Sequence, residues 1–509
     1  MKENQSFFRL HSLSLWKHPI LGDLHLDFCQ DNSKCGGVYS SIIIGANGVG
    51  KSCLLRAIID IFRFLEQHLY EKSALAPRYY FNIVFTSRNE LFEFGNCREE
   101  EGLFGHERQG FNRFVFKRNN HDATFQEMIL PNRVIASSTT INDKYLARSS
   151  RMYLYKGLRN EGSPNIGGTS VMVNNTIVSL LGSLGSKSGF KDELRCLLFH
   201  LGLQSSLELS FIMRDRRYRD LFVNAEITGE KIQSIIDSQI SDDHIRISGS
   251  IIRPLYRLNR ESKETIDIVA AFFRRLADRG FDGNKYELRY YLLDNDQRFV
   301  EDREALKTLL STGVLNLPSL TVYKDSDSYE FSDSSSGESS LLYQMISIMS
   351  AIEPNSLVLI DEPETSAHPN WQISYMGWLK SIFQNYQNCH FVIATHSHFI
   401  LTDLEPDTSD IVALEKRNGV IRDLSEGVNT FNWSADDILY RVFGVRNTRN
   451  RAFEDDIMEL YKMISDGSKD FETITEKVRR LSKVVLPGND PLLEILNQAN
   501  KYVEANATL

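Results

Sequence analysis

The pattern of apolar and polar positions predicts alternating strands and helices along most of the chain. Near the N-terminus, FFRLHSLSLW and LGDLHLDF alternate roughly with period two, which indicates short β-strands broken at Pro19 and Gly22. The short run Tyr39–Ile44 predicts a buried strand, and helical spacing of apolar residues follows over about 50–69. Further strand-like runs lie within 78–117. The first part of the chain therefore predicts an α/β domain.

The pattern changes after residue 150 and changes back near residue 316. Between them, helical segments such as TIDIVAAFFRRLADRG alternate with turns rich in Gly, Ser and Asn, and no sustained heptad predicts a coiled coil. Short buried strands then return at Leu357–Ile360 and Phe391–Ala394, before a final amphipathic helical stretch. The predicted division is an α/β part at 1–150, a mostly helical insertion at 151–315, a second α/β part at 316–430, and a helical C-terminal region at 431–509.

Composition and charge limit the class of protein. The chain has 509 residues, 42% hydrophobic and 25% charged, which is ordinary globular composition but too long for one core. A formal charge of −9 argues against a generally basic surface, while a local basic patch remains compatible with nucleic-acid binding. Six cysteines without a CxxC pair favour a reducing compartment over a disulfide framework. Without a long apolar run, we expect a cytoplasmic protein that does not span a membrane.

The segment GANGVGKS, from Gly45 to Ser52, matches the phosphate-loop pattern G-x-x-x-x-G-K-[ST]. Its glycines allow successive backbone N–H groups to face an anion, and the following helix adds its positive N-terminus. Lys51 would reach the β- and γ-phosphates, and the Ser52 hydroxyl would bind Mg²⁺. The alternative is a glycine-rich turn that only caps a helix, but the preceding strand and following helix favour a nucleotide site. The predicted ATP-binding residues are Gly45, Asn47, Gly48, Gly50, Lys51, Ser52 and Cys53.

A pair of carboxylates follows the apolar strand LVLI, at Asp361 and Glu362. The strand would deliver both side chains to the edge of a parallel sheet, beside the phosphate loop. Asp361 is suited to holding Mg²⁺, and Glu362 is suited to accepting a proton from the attacking water. Taken alone the pair is also compatible with a surface turn; together with the phosphate loop it predicts catalysis.

The segment Ser334–Glu338, SSSGE, precedes a helical pattern and predicts a second anion-binding helix N-terminus. The residues proposed for it are Ser335, Ser336, Gly337 and Glu338. The simpler alternative is an N-cap in a Ser/Glu capping arrangement.

A strand at 391–394 leads into Thr395, His396 and Ser397. A lone histidine usually has only a structural role, but this strand would lie next to the strand that ends in Asp361 and Glu362. His396 is then placed to hydrogen-bond a γ-phosphate or its attacking water, which makes it a catalytic candidate with Glu362 and Lys51.

These four motifs, in this order, resemble the ATP-binding-cassette class of ATPases, in the branch of SMC, RecF and OLD-like proteins. GANGVGKS resembles its Walker A, SSSGE its signature, LVLIDEPE its Walker B and THS its switch histidine. The signature departs from the family pattern because Ser334 stands where leucine is expected. No Q-loop glutamine is evident; Gln109 and Gln126 are the candidates. The resemblance implies a mixed α/β ATPase head, with a phosphate-loop sheet and an antiparallel β-subdomain, that uses ATP and Mg²⁺.

A finer resemblance concerns LPNRVIASSTTINDKYLA with YLYKGLRN, DEPETSAHPNW and NWSADDILYRVFGVRNTRN. These segments are similar to PtuA-type ATPases of bacterial Septu and retron-associated anti-phage systems. The resemblance implies an ATPase subunit that controls a separate nuclease, often of HNH type. The sequence has no nucleophile–base pair, zinc cluster, HNH pattern or acidic Toprim cluster outside the ATP site, so we expect no nuclease activity in this chain. In this class the signature of one head faces the phosphate loop of another, so we expect a homo-oligomer of at least two chains.

Two other function classes stay open at this stage. A RecF-like ATPase would bind DNA directly, through basic runs such as 214–219 and Arg274–Arg275, whose simpler interpretation is a solvated helix face or ion pairs. A structural protein with a vestigial nucleotide site is disfavoured by the intact Lys51, Asp361, Glu362 and His396. Apolar residues in the C-terminal helices would either pack on the ATPase core or bind a partner: Ile457, Leu460, Ile464, Leu492, Leu493, Ile495 and Leu496.

Overall fold

A computed structural model of the 509-residue chain forms two compact units, residues 1–438 and 439–509, which are described separately. The described residues are 6–29, 38–70, 76–96, 114–159, 169–213, 222–241, 249–279, 287–294, 296–423, 438, 451–468, 470–481, 496–499 and 501–502.

The first unit is built on a seven-stranded, mostly parallel sheet in the order β17-β16-β3-β15-β14-β8-β9. Only β17 runs antiparallel to its neighbour. The strands are β3 (Tyr39–Gly45), β8 (Val134–Ser138), β9 (Tyr153–Lys156), β14 (Leu357–Asp361), β15 (His390–Ala394), β16 (Ser409–Arg417) and β17 (Val420–Asp423). Strands β3, β8, β14 and β15 are buried along their whole length, which agrees with their continuous apolar runs.

The first unit also contains a six-stranded antiparallel sheet, in the order β2-β1-β4-β5-β6-β7. Its strands are β1 (Phe8–His18), β2 (Gly22–Asp27), β4 (Tyr80–Ser87), β5 (Glu90–Gly95), β6 (Val115–Arg118) and β7 (His121–Asp122). Helix α1 (Lys51–Tyr70) shares one hydrophobic core with both sheets, and Leu54, Ile58 and Phe62 of this helix are fully buried. The predicted combination of a phosphate-loop sheet and an antiparallel β-subdomain is therefore confirmed.

The region predicted as a mostly helical insertion also contributes strands. A four-stranded antiparallel sheet, in the order β11-β10-β12-β13, consists of β10 (Leu207–Met213), β11 (Glu287–Tyr291), β12 (Leu315–Lys324) and β13 (Asp327–Glu330). The helices of this region are α2 (Thr169–Ser183), α3 (Phe190–His200), α4 (Gly229–Ser241), α5 (Gly249–Leu258), α6 (Lys263–Asp278) and α7 (Gln297–Thr312). The region forms one compact unit with the head, because helices α2 and α3 pack against a later helix, α8 (Ser336–Ala351).

Helix α9 (Pro369–Ile382) completes the described helices of the first unit; Pro369 occupies its first turn and His368 caps it. None of the helices among the described residues is long and apolar enough to cross a membrane.

The second unit contains helices α10 (Arg451–Ser465) and α11 (Phe471–Leu481). Ile457, Leu460 and Leu496, from the predicted apolar stripe, are buried within this unit, together with residues of α11. The stripe therefore supplies a core of the unit itself, whereas packing on the ATPase core was the simpler expectation. Leu492, Leu493 and Ile495 lie outside the described residues. On α10, the side chains of Met458 and Tyr461 remain 71% and 56% exposed.

Candidate functional site

The carboxyl ends of four neighbouring parallel strands bring the predicted site together. Strand β3 ends at Gly45, β14 at Asp361, β15 at Ala394 and β8 at Ser138. Asp361 is the register partner of both Ala394 and Ser138, so the residues that follow these strands share one edge of the sheet.

The phosphate loop has the backbone that an anion cradle requires. Gly45, Gly48 and Gly50 have φ angles of 153°, 77° and 105°, which side chains rarely adopt. A Cβ on Gly45 would lie 2.4 Å from the Leu414 carbonyl oxygen, and one on Gly50 would lie 2.6 Å from the Leu21 side chain. Gly48 instead faces open space, and Asn47 beside it is exposed. The loop is thus packed against the fold at Gly45 and Gly50 and open to solvent at Asn47 and Gly48. Helix α1 then begins at Lys51.

The Lys51 side chain is buried at the centre of this site. Its Nζ atom donates to the Gly45 carbonyl oxygen at 2.8 Å and lies 2.9 and 2.8 Å from Nδ1 and Nε2 of His396. Burial lowers the pKa of Lys51 to about 8, against the opposing charges of Glu364, Glu362 and Asp361. Burial, and then the charge of Lys51, lower the pKa of His396 to about 4. His396 is therefore neutral near pH 7 and can accept a hydrogen bond from Lys51.

Ser52 and Asp361 fit the magnesium site predicted for them. The Ser52 Oγ donates to Asp361 Oδ1 at 3.2 Å, and the Asp361 residue is only 4% exposed. Burial raises the pKa of Asp361 to about 6, although the neighbouring Tyr145 and Ser52 hydroxyls oppose the shift. One carboxylate and one hydroxyl are a sufficient protein share, because Mg²⁺ in nucleotide sites takes its other ligands from phosphates and water. No cluster of three or more His, Cys, Asp or Glu in the described part of the chain could hold a metal alone.

Glu362 has a strained backbone at the end of β14. Its φ angle is 49°, in the left-handed region that costs a non-glycine residue free energy. Its N–H donates to the Ala394 carbonyl oxygen at 2.9 Å, so the neighbouring strand holds this conformation. The Glu362 Oε1 lies 3.7 Å from His396 Nε2. The backbone thus holds Glu362 beside His396 and Lys51.

The signature segment begins α8, as the capping alternative also predicted. Ser335 is the N-cap, and its Oγ accepts from the Glu338 N–H at 3.2 Å. The Glu338 carboxylate accepts from the Tyr329 hydroxyl at 2.8 Å. Ser335 and Ser336 stay exposed, and among the described residues no hydrogen bond links 335–338 to the phosphate loop at 45–53. Capping satisfies one N–H donor of this helix N-terminus. Ser335 and Ser336 remain accessible to an anion from outside the chain.

Gly337 packs against the segment that follows Asp361 and Glu362. A Cβ on Gly337 would lie 2.4 Å from the Ser366 carbonyl oxygen and 3.3 Å from Ala367 Cα. The start of α8 and the segment after Glu362 are therefore in direct backbone contact, a relationship that the sequence pattern did not reveal.

Other residues at this edge were not predicted as site residues. Glu364 Oε1 accepts from the His396 N–H at 2.6 Å, and burial raises the pKa of Glu364. Its place in LVLIDEPE was the available signal. Tyr145 is buried beside Asp361, and Lys144 Nζ lies 3.8 Å from Sγ of the buried Cys53. Both residues lie within the PtuA-like segment LPNRVIASSTTINDKYLA, but nothing in that segment marked either of them as a site residue, because they lie in an irregular stretch between β8 and β9.

The two Q-loop candidates do not acquire a role here. Gln126 lies in the exposed one-turn helix Phe125–Glu127, ahead of β8, and Gln109 lies outside the described residues. The basic run at 214–219 is also outside them. Of the other basic run, Arg275 bonds the buried Asp302 carboxylate at 2.8 Å, and Arg279 bonds the same carboxylate at 2.9 Å. Arg275 therefore has the intramolecular ion pair that was the simpler interpretation.

Comparison with known proteins identifies the head. The sequence model of a family described as "AAA ATPase domain" matches residues 24–401, which include the phosphate loop, the signature segment, both carboxylates and His396. This match confirms the predicted ATPase-head fold. No curated protein matches the sequence significantly.

Three solved structures are similar in shape. The SMC head domain from Thermotoga maritima has a TM-score of 0.36 and 12% identity, covering 82% of this chain and all of that one. The Smc head domain from Pyrococcus furiosus, bound to the C-terminal domain of ScpA, has a TM-score of 0.31 and 13% identity, covering 82% of this chain and 96% of the other. The recombination mediator RecF with ATP has a TM-score of 0.28 and 12% identity, covering 83% and 100%.

Proposed function

The chain belongs to the AAA ATPase domain family, and we propose that it hydrolyses ATP at the edge where β3, β14 and β15 end. The observation that carries the proposal is the convergence of Lys51, Ser52, Asp361, Glu362 and His396 on one glycine cradle. Each of these residue types suits one task of phosphoryl transfer, which depends mainly on positioning and on neutralising charge.

The proposed roles follow from the contacts. Lys51 and the N–H groups of 45–53 bind the phosphates, and Ser52 and Asp361 hold Mg²⁺, which neutralises phosphate charge when bound. Glu362 accepts a proton from the attacking water. His396 is neutral, so it can accept a hydrogen bond from Lys51 or donate one toward a phosphate oxygen. Glu364 fixes the backbone of His396 through its bond to the His396 N–H.

We further propose that ATP pairs two chains. Ser335 and Ser336 are exposed at a helix N-terminus, which favours anions, and they make no bond to the phosphate loop of their own chain. A γ-phosphate held by one chain and contacted by the signature of another would favour the paired state, and hydrolysis would remove that bias. The expected result of this ATPase cycle is a change in the oligomeric state of the chain.

Mixing two inactive variants tests the shared site. Lys51→Ala removes the phosphate-binding amine, and Ser335→Arg blocks the signature; each chain alone should lose ATPase activity. A mixed pair contains one undamaged loop facing one undamaged signature, so activity should partly return on mixing. Absence of recovery, with subunit exchange shown by fluorescence energy transfer, would refute the shared site while leaving ATP binding untouched.

For the output of the cycle we propose control of a separate nuclease, of HNH type by preference, in an anti-phage defence complex. Support comes from the PtuA-like segments described above and from the exposed apolar pair Met458 and Tyr461 on α10, which lie one turn apart. Within the second unit this pair lies outside the buried core.

Charge substitution on α10 tests this output. Met458→Glu with Tyr461→Glu should abolish co-purification of a nuclease partner co-expressed with this chain, while ATP turnover stays unchanged. Ile20→Glu, at an apolar residue that is 58% exposed in the first unit, is the matched control and should keep the partner. The purified chain should leave plasmid, linear DNA and tRNA intact with Mg²⁺ or Mn²⁺. Nucleolytic activity that persists in the pure chain would overturn the proposal.

Direct DNA binding, as in RecF-like maintenance, is the second candidate. A net charge of −9 and the pairing of Arg275 and Arg279 with Asp302 disfavour it within the described residues. Duplex binding by the purified chain that weakens steeply between low and moderate salt would favour it over nuclease control.

A further inference from the structure

A cavity of about 220 Å³ lies beside the ATP site, at the neighbouring end of the same sheet. Strand β9 ends at Lys156, whose register partner is Ser137, and Ser138 of that strand is the register partner of Asp361. The cavity is bounded by this strand end, by α2 and by α8; the polar residues that line it include Lys156, Arg159, Asn175, Ser179, Tyr343 and Ser347.

The cavity holds cationic groups that lack a full set of partners. No carboxylate in the described part of the chain pairs with Lys156, whose Nζ has a single contact, Ser350 Oγ at 3.4 Å. Arg159 pairs with the buried Asp143, and its Nε, which is closed off from solvent, has no hydrogen-bond partner among the described residues. Lys156 is half-buried, and a partly desolvated cation without a carboxylate partner favours a nearby anion.

We propose that this cavity is a binding site for a small phosphate-class anion. Lysine binds phosphate as a point charge, the Arg159 guanidinium adds a second positive charge, and the hydroxyls of Ser179 and Ser347 add single donors from α2 and α8. The volume is below the roughly 300–1,000 Å³ of pockets for drug-sized ligands and equals that of about seven waters. It accommodates one or two phosphoryl groups and no nucleotide.

A short chain of contacts joins this cavity to the ATP site. The Tyr155 hydroxyl donates to Asp143 Oδ2 at 2.5 Å, and Arg159 bonds both Asp143 and the Tyr145 carbonyl oxygen. The Asp143 carboxylate also accepts from the Tyr145 N–H at 3.0 Å, and Tyr145 is buried beside Asp361. A bound anion that draws Arg159 toward itself would therefore shift Tyr145 and change the surroundings of Asp361.

The cavity also contacts the helix that carries the signature. The Tyr343 hydroxyl of α8 donates to the Gly157 carbonyl oxygen at 2.7 Å. Ser347, one turn further along α8, lines the cavity. The site would thus regulate both the hydrolysis of ATP, through Asp361, and the pairing of chains, through α8. This consequence rests on the proposed function, whereas the binding itself does not.

Calorimetric titration of the full chain with inorganic phosphate tests the binding. The titration uses the Lys51→Ala background, in which the phosphate loop has lost its lysine. We expect one site per chain, weakened at least tenfold by Lys156→Met and kept by Lys156→Arg. Lys187→Met is the matched control: this half-buried lysine bonds the carbonyl oxygens of Met349 and Ile352, at the end of α8, and does not line the cavity. It should leave phosphate affinity within about twofold of its starting value.

Three results would overturn the assignment: no phosphate binding in the Lys51→Ala chain, unchanged affinity in the Lys156→Met variant, or equal affinity for acetate. Ser179→Val provides a second test that keeps both cations and removes one donor, and it should also weaken phosphate. Thermal unfolding of each variant confirms that it is folded. In the otherwise native chain, phosphate should change ATP turnover at least twofold, and Lys156→Met should abolish that change. Binding without any effect on turnover would retain the site and refute its regulatory role.

Discussion

The Nζ atom of Lys51 lies 2.8 Å from Nε2 of His396, so the amine that we propose binds phosphate has a neutral imidazole as its partner. Lys51 begins α1, after the loop that follows β3, and His396 lies two residues after the end of β15. The two side chains meet because β3 and β15 are neighbouring parallel strands. A phosphate that takes the Lys51 amine would release the ring, and His396 is thereby coupled to occupation of the loop.

The lowered pKa of Lys51 predicts that ATP affinity depends on pH. The amine is charged below its pKa of about 8 and loses its charge above it, and phosphates favour the charged form. The dissociation constant for ATP should therefore rise as the pH increases through about 8, by up to about tenfold per pH unit. Lys51→Arg keeps its charge at all these pH values and should abolish the dependence if it still binds. Constant affinity from about pH 7 to about pH 9.5 in the native chain would contradict the prediction.

Glu362→Gln should stop turnover without stopping binding. The amide cannot accept the proton of the attacking water, so the ATPase rate should fall by about 10²–10⁴-fold. ATP affinity should stay within about threefold of the native value, because Ser52 and Asp361 are unchanged. Light scattering should then show a larger species that accumulates with ATP. Turnover near the native rate would exclude Glu362 as the base.

Asp361→Asn should stabilise the first unit near neutral pH. The folded carboxyl, with a pKa of about 6, binds more protons than the unfolded one between pH 3.8 and 6, so its contribution to the free energy of unfolding falls as pH rises through this window. At pH 7 the variant should gain up to about 3 kcal/mol, at ~1.4 kcal/mol per pKa unit. The gain should shrink toward pH 4. Urea unfolding can be followed by tryptophan fluorescence, because all four tryptophans lie within residues 1–438. A loss of stability at pH 7 would refute the argument.

Gly337→Ala tests the contact between α8 and the segment after Glu362. The new Cβ would lie 2.4 Å from the Ser366 carbonyl oxygen, so the backbone must shift, at a cost of about 1–3 kcal/mol. ATPase activity should also fall, because both contacting segments serve the proposed shared site. Gly182→Ala is the control: it lies in α2 with open space around its Cβ, and it should be neutral or stabilising by up to about 1 kcal/mol. Equal effects of the two substitutions would argue against a specific contact.

The sequence identified the parts of the site that depend on local pattern. Gly45–Ser52 and Asp361–Glu362 each lie at the carboxyl end of an apolar strand, and parallel strands bring the residues at their carboxyl ends to one edge of the sheet. The buried strands and α1 were predicted to within one or two residues at most ends, since their apolar periodicity is strong.

The remaining features depend on contacts between segments distant in the chain. The Gly337–Ser366 approach and the position of Tyr145 beside Asp361 join irregular segments that have no periodicity of their own. The strands β9, β10 and β11 were missed within the predicted helical insertion, because they are short. Strand β9 pairs with β8 ahead of the insertion, β10 pairs with β12 after it, and β11 pairs with β10. The aliphatic stripe of α10 was visible, but its burial within its own unit was not.

Helix α8 has sixteen residues and is therefore about 24 Å long. Gly337 at its start contacts the segment after Asp361 and Glu362, Tyr343 and Ser347 border the cavity, and Lys187 caps its far end. Because a helix is stiff along its axis, a displacement of one end is carried to the other. Chain pairing and anion binding would then both displace α8. Thermodynamic reciprocity requires that anion binding changes the affinity of one chain for another by the same factor as pairing changes the affinity for the anion.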